Sequence, residues 1–180
     1  GDIPNYIDAL FETISGLTTT GASVVTSPES MTRGGMFWRL FTHWIGGMGI
    51  LVFVLAVLPM SGNRSMHIMR AEVPGPTVGK LVPRIRKTAS ILYLLYIALT
   101  LVETVLLIAG GMSFYDALLH SFATAGTGGL STRALSIGYY NSAYIDIVVG
   151  VFMILFGANF SLYYLIPVSY THLRAHETVL

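Results

Sequence analysis

The sequence predicts an all-α membrane protein built from repeated units of span, re-entrant pore loop and span, with three transmembrane helices and two pore half-helices in its 180 residues. Composition is the first observation. Hydrophobic side chains make up 53% and charged ones 11%, with a mean hydropathy of +0.68, where a soluble domain is about a quarter charged. The second is a set of three nearly charge-free windows, each long enough to cross a hydrocarbon core about 30 Å thick. The third is an ungapped internal repeat. A formal charge of +1 offers no basic surface for nucleic acid, and the absence of cysteine removes disulfides, cysteine nucleophiles and thiolate metal sites.

The chain opens on Gly1-Asp2-Ile3-Pro4 without a charged leader and cleavage site, so it is expected to be a fragment that begins inside a unit. The end of that first unit occupies residues 1–60. Asn5-x-x-Asp8 matches a capping box and starts a helix of about three turns, which runs into the cluster Leu17-Thr18-Thr19-Thr20-Gly21-Ala22-Ser23. A span over residues 41–60 follows, with His43 its one ionisable side chain. Residues 61–88 hold Arg64, Arg70, Lys80, Arg84, Arg86 and Lys87, six of the ten basic residues, against Glu72 alone. The positive-inside rule makes this segment cytoplasmic.

The second unit occupies residues 89–166. Its first span, residues 90–111, carries Glu103, and its last, residues 147–166, carries no ionisable group. Between them Ser113-x-x-Asp116 opens a second short helix that ends in Ala125-Gly126-Thr127-Gly128-Gly129-Leu130-Ser131. Alternation places residues 1–35 and 112–142 outside, where Arg33 and Arg133 are the single basic residues of each. A half-length helix followed by irregular backbone is the pattern of a re-entrant loop.

An offset of 108 aligns residues 5–23 with 113–131 without a gap, and six of nineteen positions are identical: Asp8/Asp116, Ala9/Ala117, Leu10/Leu118, Thr19/Thr127, Gly21/Gly129 and Ser23/Ser131. Irregular backbone at membrane depth is tolerated where protein or a water-filled cavity satisfies its polar groups, so a Thr/Gly strand there is expected to line a pathway. Its carbonyls, helped by Thr hydroxyls, suit a desolvating alkali cation. The expected ion-binding residues are Thr18, Thr19, Thr20, Gly21 and Ala22 in the first loop and Gly126, Thr127, Gly128, Gly129 and Leu130 in the second, with no cofactor. The C-terminal ends of the short helices would add negative dipole ends that favour cations. Two loops cannot enclose an ion, so an oligomer or a longer chain is required.

Other residues carry competing readings. Glu12 and His120, matched at the same offset, suit either a proton relay or packing and hydrogen bonding at the outer vestibule. Glu103 suits a helix-to-helix hydrogen bond or a place on the ion pathway. Arg133 suits cation entry or loop anchoring. Gly46-Gly47-Met48-Gly49 follows no strand and reads as close helix packing rather than a phosphate loop. A membrane-embedded enzyme using His43, His120 and Glu103 is the alternative from another class, and requires those groups to converge.

These residues resemble the TrkH/KtrB/HKT-type potassium transporters, with the bacterial TrkH type nearest. The resemblance rests on residues 8–13 leading to Thr18-Thr19-Thr20-Gly21-Ala22, on His43-Trp44-Ile45-Gly46-Gly47-Met48-Gly49-Ile50, on Arg70-Ala71-Glu72-Val73-Pro74-Gly75-Pro76 and on residues 120–132, covering about residues 5–164. It implies a potassium-channel-like fold of four units around one pathway, with Gly21 and Gly129 as filter glycines of the first two; a one-residue slip would select Gly128. It further implies potassium uptake rather than enzymatic activity, in symporter or channel-like form, in the bacterial inner membrane as a lipid-embedded multi-pass protein. A full-length homodimer with a cytosolic nucleotide-binding subunit of the TrkA type is implied too. The rival within the family is a sodium-conducting relative. Residues 167–180 depart from the family and resemble a translated sequencing-adapter tail, so His172 and His176 are not read as a metal site.

Overall fold

The computed structural model describes residues 2–49 and 85–158. Within them the chain forms helices α1 (Tyr6–Leu17), α2 (Arg33–Gly47), α3 (Ile85–Ala109), α4 (Phe114–Ala125) and α5 (Ala143–Gly157), with 3-10 turns at Pro28–Ser30 and Ser136–Tyr140. No strand occurs among the described residues. α1 packs on α2, α2 on α4, α4 on α3 and α5, and α3 on α5. The second unit is thus a short helix, α4, held between α3 and α5, and α2 joins the first unit to it.

α3 contains the expected second span up to Ala109, and residues 90–109 form the one described helix long and apolar enough to cross a membrane. It ends where Gly111 takes φ +96° and the Gly111 and Met112 amides bond back to Ile108 and Leu107 at 2.9 and 3.2 Å. That is a Schellman close with glycine in the left-handed position. α3 also begins at Ile85, inside the segment read as cytoplasmic loop, whose remaining residues up to 84 lie outside the described part.

The first span differs from expectation. Its helix starts at Arg33, because Thr32 accepts the Gly35 amide at 3.1 Å and caps it, and it stops at Gly47, inside the window expected to run to residue 60. The glycine run explains the stop: Gly49 takes φ +77°, and the Gly49 amide bonds to the Gly46 carbonyl at 2.8 Å. Residues 50–60 lie outside the described part. α5 likewise starts earlier than expected, at Ala143, and residues 159–166 of that window, like the tail 167–180, lie outside.

Two apolar clusters form the core. One gathers Leu92, Tyr96, Leu107, Ala117, Ile145, Val149 and Phe152 between α3, α4 and α5; the other gathers Met36, Leu40, Leu119, Phe122 and Leu130 between α2 and α4. Trp44 packs against both. Its indole donates to Thr100 at 3.1 Å, and the Tyr96 hydroxyl donates to the Trp44 carbonyl at 2.8 Å, satisfying an acceptor that the early end of α2 leaves free.

Candidate ion-pathway site

The two pore helices start and stop alike. Asn5 Oδ1 accepts the Ile7 amide at 3.0 Å, and Ser113 Oγ accepts the Asp116 amide at 3.2 Å. α1 closes with Thr19 N–H to Gly16 O at 3.1 Å and Thr20 N–H to Ser15 O at 3.0 Å, and α4 closes with Thr127 N–H to Thr124 O at 2.9 Å. The first is the same Schellman pattern that ends α3, with threonine where α3 has glycine. Thr19 has φ +54° and Thr127 φ +56°, a region that costs a β-branched residue about 1–2 kcal/mol. No basic side chain lies in the last turn of either helix to cancel its negative end.

Two residues further on, Gly21 has φ +72° and Gly129 φ +74°, while Thr20 and Gly128 between them do not have positive φ. Alternating φ sign is the backbone condition for successive carbonyls to face one side. The matched angles put Gly129, not Gly128, in register with Gly21. The two strands meet: a Cβ on Gly21 would overlap the Gly128 carbonyl, and one on Gly128 would approach Gly21 Cα to 3.2 Å.

Not every expected ligand is equally free. The Ala22 carbonyl accepts Ser15 Oγ–H at 2.6 Å, which turns it toward its own pore helix. Thr18 Oγ1 donates to Ile14 O at 2.8 Å, which leaves Thr20 as donor in the 2.8 Å contact between the two hydroxyls. Leu130 is buried in the α2/α4 cluster, so its side chain anchors the second strand.

Beyond each glycine the strand is tied back to its helix. Glu12 Oε1 accepts Ser23 Oγ–H at 2.7 Å and Val24 N–H at 2.6 Å, and Ser23 Oγ accepts Val25 N–H at 3.0 Å. At the matched positions His120 Nε2 lies 2.9 Å from Ser131 Oγ, which accepts Arg133 N–H at 3.0 Å. Glu12 also forms a buried ion pair with Arg39 of α2 at 2.7 Å. Burial opposes ionisation of Glu12, but Ser23, the Arg39 charge and the Val24 amide together hold its carboxyl below the usual range. Burial likewise holds the His120 imidazole below its ordinary value, against the Asp116 carbonyl bond. These contacts answer to the hydrogen-bonding reading of Glu12 and His120.

Arg133 anchors the outer loop. It pairs with Asp116 at 3.2 Å and lies 4.7 Å from the centre of the Tyr139 ring, and Thr132 donates to the other Asp116 oxygen at 2.9 Å. Asp116 is therefore held below its usual pKa: burial raises it, and Thr132, Ser113 and Arg133 outweigh that. The outer segments of the two units are stitched by Ala134 N–H to Glu29 at 2.7 Å and the Tyr115 hydroxyl to the Arg33 carbonyl at 2.7 Å.

Gly46 and Gly47 make close packing possible. A Cβ on Gly46 would overlap the Leu17 carbonyl, and one on Gly47 would come within 2.8 Å of the Ala125 carbonyl. One glycine pair therefore lets α2 approach the ends of both pore helices. His43, fully buried, lies where a Cβ on Gly126 or Gly128 would stand. Neither ring nitrogen meets hydrogen-bond geometry among the described residues, although the Gly16 carbonyl acts on the ring. Glu103 is also fully buried, beside Thr124 without a hydrogen bond of good geometry. No hydrogen bond joins His43, His120 and Glu103 among the described residues.

Sequence reasoning missed the Glu12–Arg39 pair, although two opposite charges alone in apolar surroundings were a usable signal. It also missed the left-handed threonines and the seat of His43, which no local pattern marks.

Two half-helices ending in matched stretches of alternating backbone, α1 packed on α2 and α4 packed on α2, α3 and α5, define a membrane protein of the pore-loop class. A family model described as TrkH, cation transport protein, matches residues 2–176, and the chain belongs to that family of membrane transporters rather than to any class of enzyme. It is 43% identical over 158 residues to the Trk system potassium uptake protein TrkH of Escherichia coli, covering 87% of this chain and 33% of that protein. Identity is 42% over 166 residues to the protein of the same name from Vibrio parahaemolyticus, covering 91% and 34%, and 39% over 162 residues to TrkG of Escherichia coli, covering 89% and 33%. The crystal structure of the potassium transporter TrkH from Vibrio parahaemolyticus matches with a TM-score of 0.68 and 38% identity, over 87% of this chain and 30% of that one. The chain thus spans about a third of the length of these relatives.

Proposed function

We propose that the chain forms the first two pore units of a bacterial potassium-uptake transporter, in which residues 18–22 and 126–130 supply backbone carbonyls that replace a potassium ion's water. The observation that carries this reading is the repeated backbone of Thr19 with Gly21 and Thr127 with Gly129, set at the C-terminal ends of two half-helices that carry no cation. The potassium-uptake names of relatives at about 40% identity support the choice of ion. The same reading makes the protein multi-pass in the inner membrane, with residues 61–88 cytoplasmic. The full-length form is then a homodimer regulated by a cytosolic nucleotide-binding subunit of the TrkA type. Rubidium uptake with sodium competition, in potassium-uptake-deficient cells expressing the full-length chain that carries this segment, tests the proposal. Uptake that sodium does not suppress is expected; uptake of sodium in preference to rubidium would replace it with the sodium-conducting reading.

A further inference from the structure

Resting on the reading of residues 18–22 and 126–130 as filter strands, we infer that Glu12 and His120 are equivalent positioning residues that hold the outer end of each filter strand through the serine two residues after its glycine.

The two struts are the same device built from different side chains. In each unit a residue on the second turn of the pore helix accepts the hydroxyl proton of Ser23 or Ser131, and that serine accepts the amide two residues on, from Val25 or Arg133. The proton positions in the second strut follow from chemistry. His120 Nδ1 lies 2.7 Å from the Asp116 carbonyl, which can only accept, so Nδ1 carries the hydrogen and Nε2 of the neutral ring is left as an acceptor. Ser131 Oγ–H must then donate to Nε2. A carboxylate in one unit and an imidazole in the other thus perform one task, acceptance of a serine proton at an offset of 108, and that explains why the pair matches in position without matching in identity.

The consequence for transport is geometric. Gly21 and Gly129 take the left-handed backbone of their strands. Beyond them Ala22 is held through its carbonyl by Ser15 and Leu130 through its side chain by the α2/α4 cluster, and the serines add the next tie to each pore helix. Releasing a serine lets the strand relax at the glycine. A cage that distinguishes ions by small differences in carbonyl distance then loses discrimination before it loses conduction.

The test measures rubidium uptake and sodium competition in the full-length chain with Ser131→Ala, Ser23→Ala, His120→Gln, His120→Leu and the double substitution His120→Leu with Ser131→Ala. The serine variants remove one hydroxyl and little volume, so membrane expression should equal the parent's. Discrimination should fall about fivefold in Ser131→Ala and His120→Leu, the factor one net hydrogen bond is worth. The double variant should be no worse than either single one. His120→Gln, whose amide oxygen reaches a similar distance and can accept the serine proton, should recover most of the loss. Parental discrimination in Ser131→Ala and Ser23→Ala at normal expression would overturn the inference, as would additive losses in the double variant. Should His120→Leu fail to accumulate, the comparison of Ser131→Ala with His120→Gln decides. A parent chain that takes up no rubidium would instead overturn the filter reading on which the struts depend.

Discussion

At the scale of single residues, Gly21 and Gly129 separate two physical effects. Gly21 needs both its left-handed φ and the absence of a side chain, because a Cβ there would overlap Gly128, whereas a Cβ on Gly129 meets nothing within 4 Å. Gly129→Ala therefore probes backbone strain alone, about 1–2 kcal/mol, and in the full-length chain should keep expression while lowering rubidium-over-sodium discrimination. Gly21→Ala should be more severe in both respects. Gly128, the position a one-residue slip would select, is not a neutral control: a Cβ there would overlap His43 of α2 and approach Gly21 Cα to 3.2 Å, so its substitution disturbs α2 and presses on the other strand. Gly150, with open space and no positive φ, serves better. The buried Glu12–Arg39 pair gives a second prediction. Glu12→Gln leaves Arg39, 7% exposed, without its countercharge and should cost about 3–5 kcal/mol, and adding Arg39→Met should recover most of that in thermal unfolding of the solubilised chain.

At the scale of elements, the clasp between the start of α4 and residues 132–133 sets a pH window. The Asp116 carboxyl is depressed in the folded state, so the stability it contributes is present above its unfolded value, about 3.9, and is lost as pH falls through the lower folded value. The difference in melting temperature between the parent and Asp116→Asn should hold constant from about pH 8 to pH 5 and shrink only below about pH 4; a difference that vanishes near pH 6 would assign it to a histidine. Which of these elements could be read in advance follows from how local their signals are. The pore helices, their caps and the register of the two strands depend on neighbouring residues and on self-similarity at one offset, and all were legible. The break in the helix at Gly47, inside the window 41–60, was not legible because a hydropathy window averages over the glycines at which α2 stops. What those glycines do depends on Leu17 and Ala125, the ends of two other helices, and no window on one helix holds that information. Gly46→Ala should accordingly lower the yield of folded protein more than a substitution at Gly34, which has open space around it.

For the whole molecule, the proposed filter makes function depend on the number of strands around the ion rather than on the quality of each. The two strands described touch at Gly21 and Gly128, and one of their carbonyls, that of Ala22, is already engaged by Ser15; on the proposed reading they make one arc of a ring. A cation stripped of water needs carbonyls on all sides, since an ion that keeps half its hydration shell is not sorted by the carbonyls on the other half. Residues 1–180 expressed alone should therefore insert into the membrane without restoring growth of a potassium-uptake-deficient strain on limiting potassium. The exception is a fragment that pairs with a second copy and completes four strands by symmetry, and that case is separable by experiment. Restored growth together with a crosslinked dimer would support a ring built from two chains, while restored growth from a monomer would refute the carbonyl-ring reading altogether. Orientation is checked in the same cells with Lys80→Cys and Arg133→Cys. Impermeant reagent should label position 133 and spare position 80, as the basic residues of the segment 61–88 require, and the opposite pattern would invert the topology.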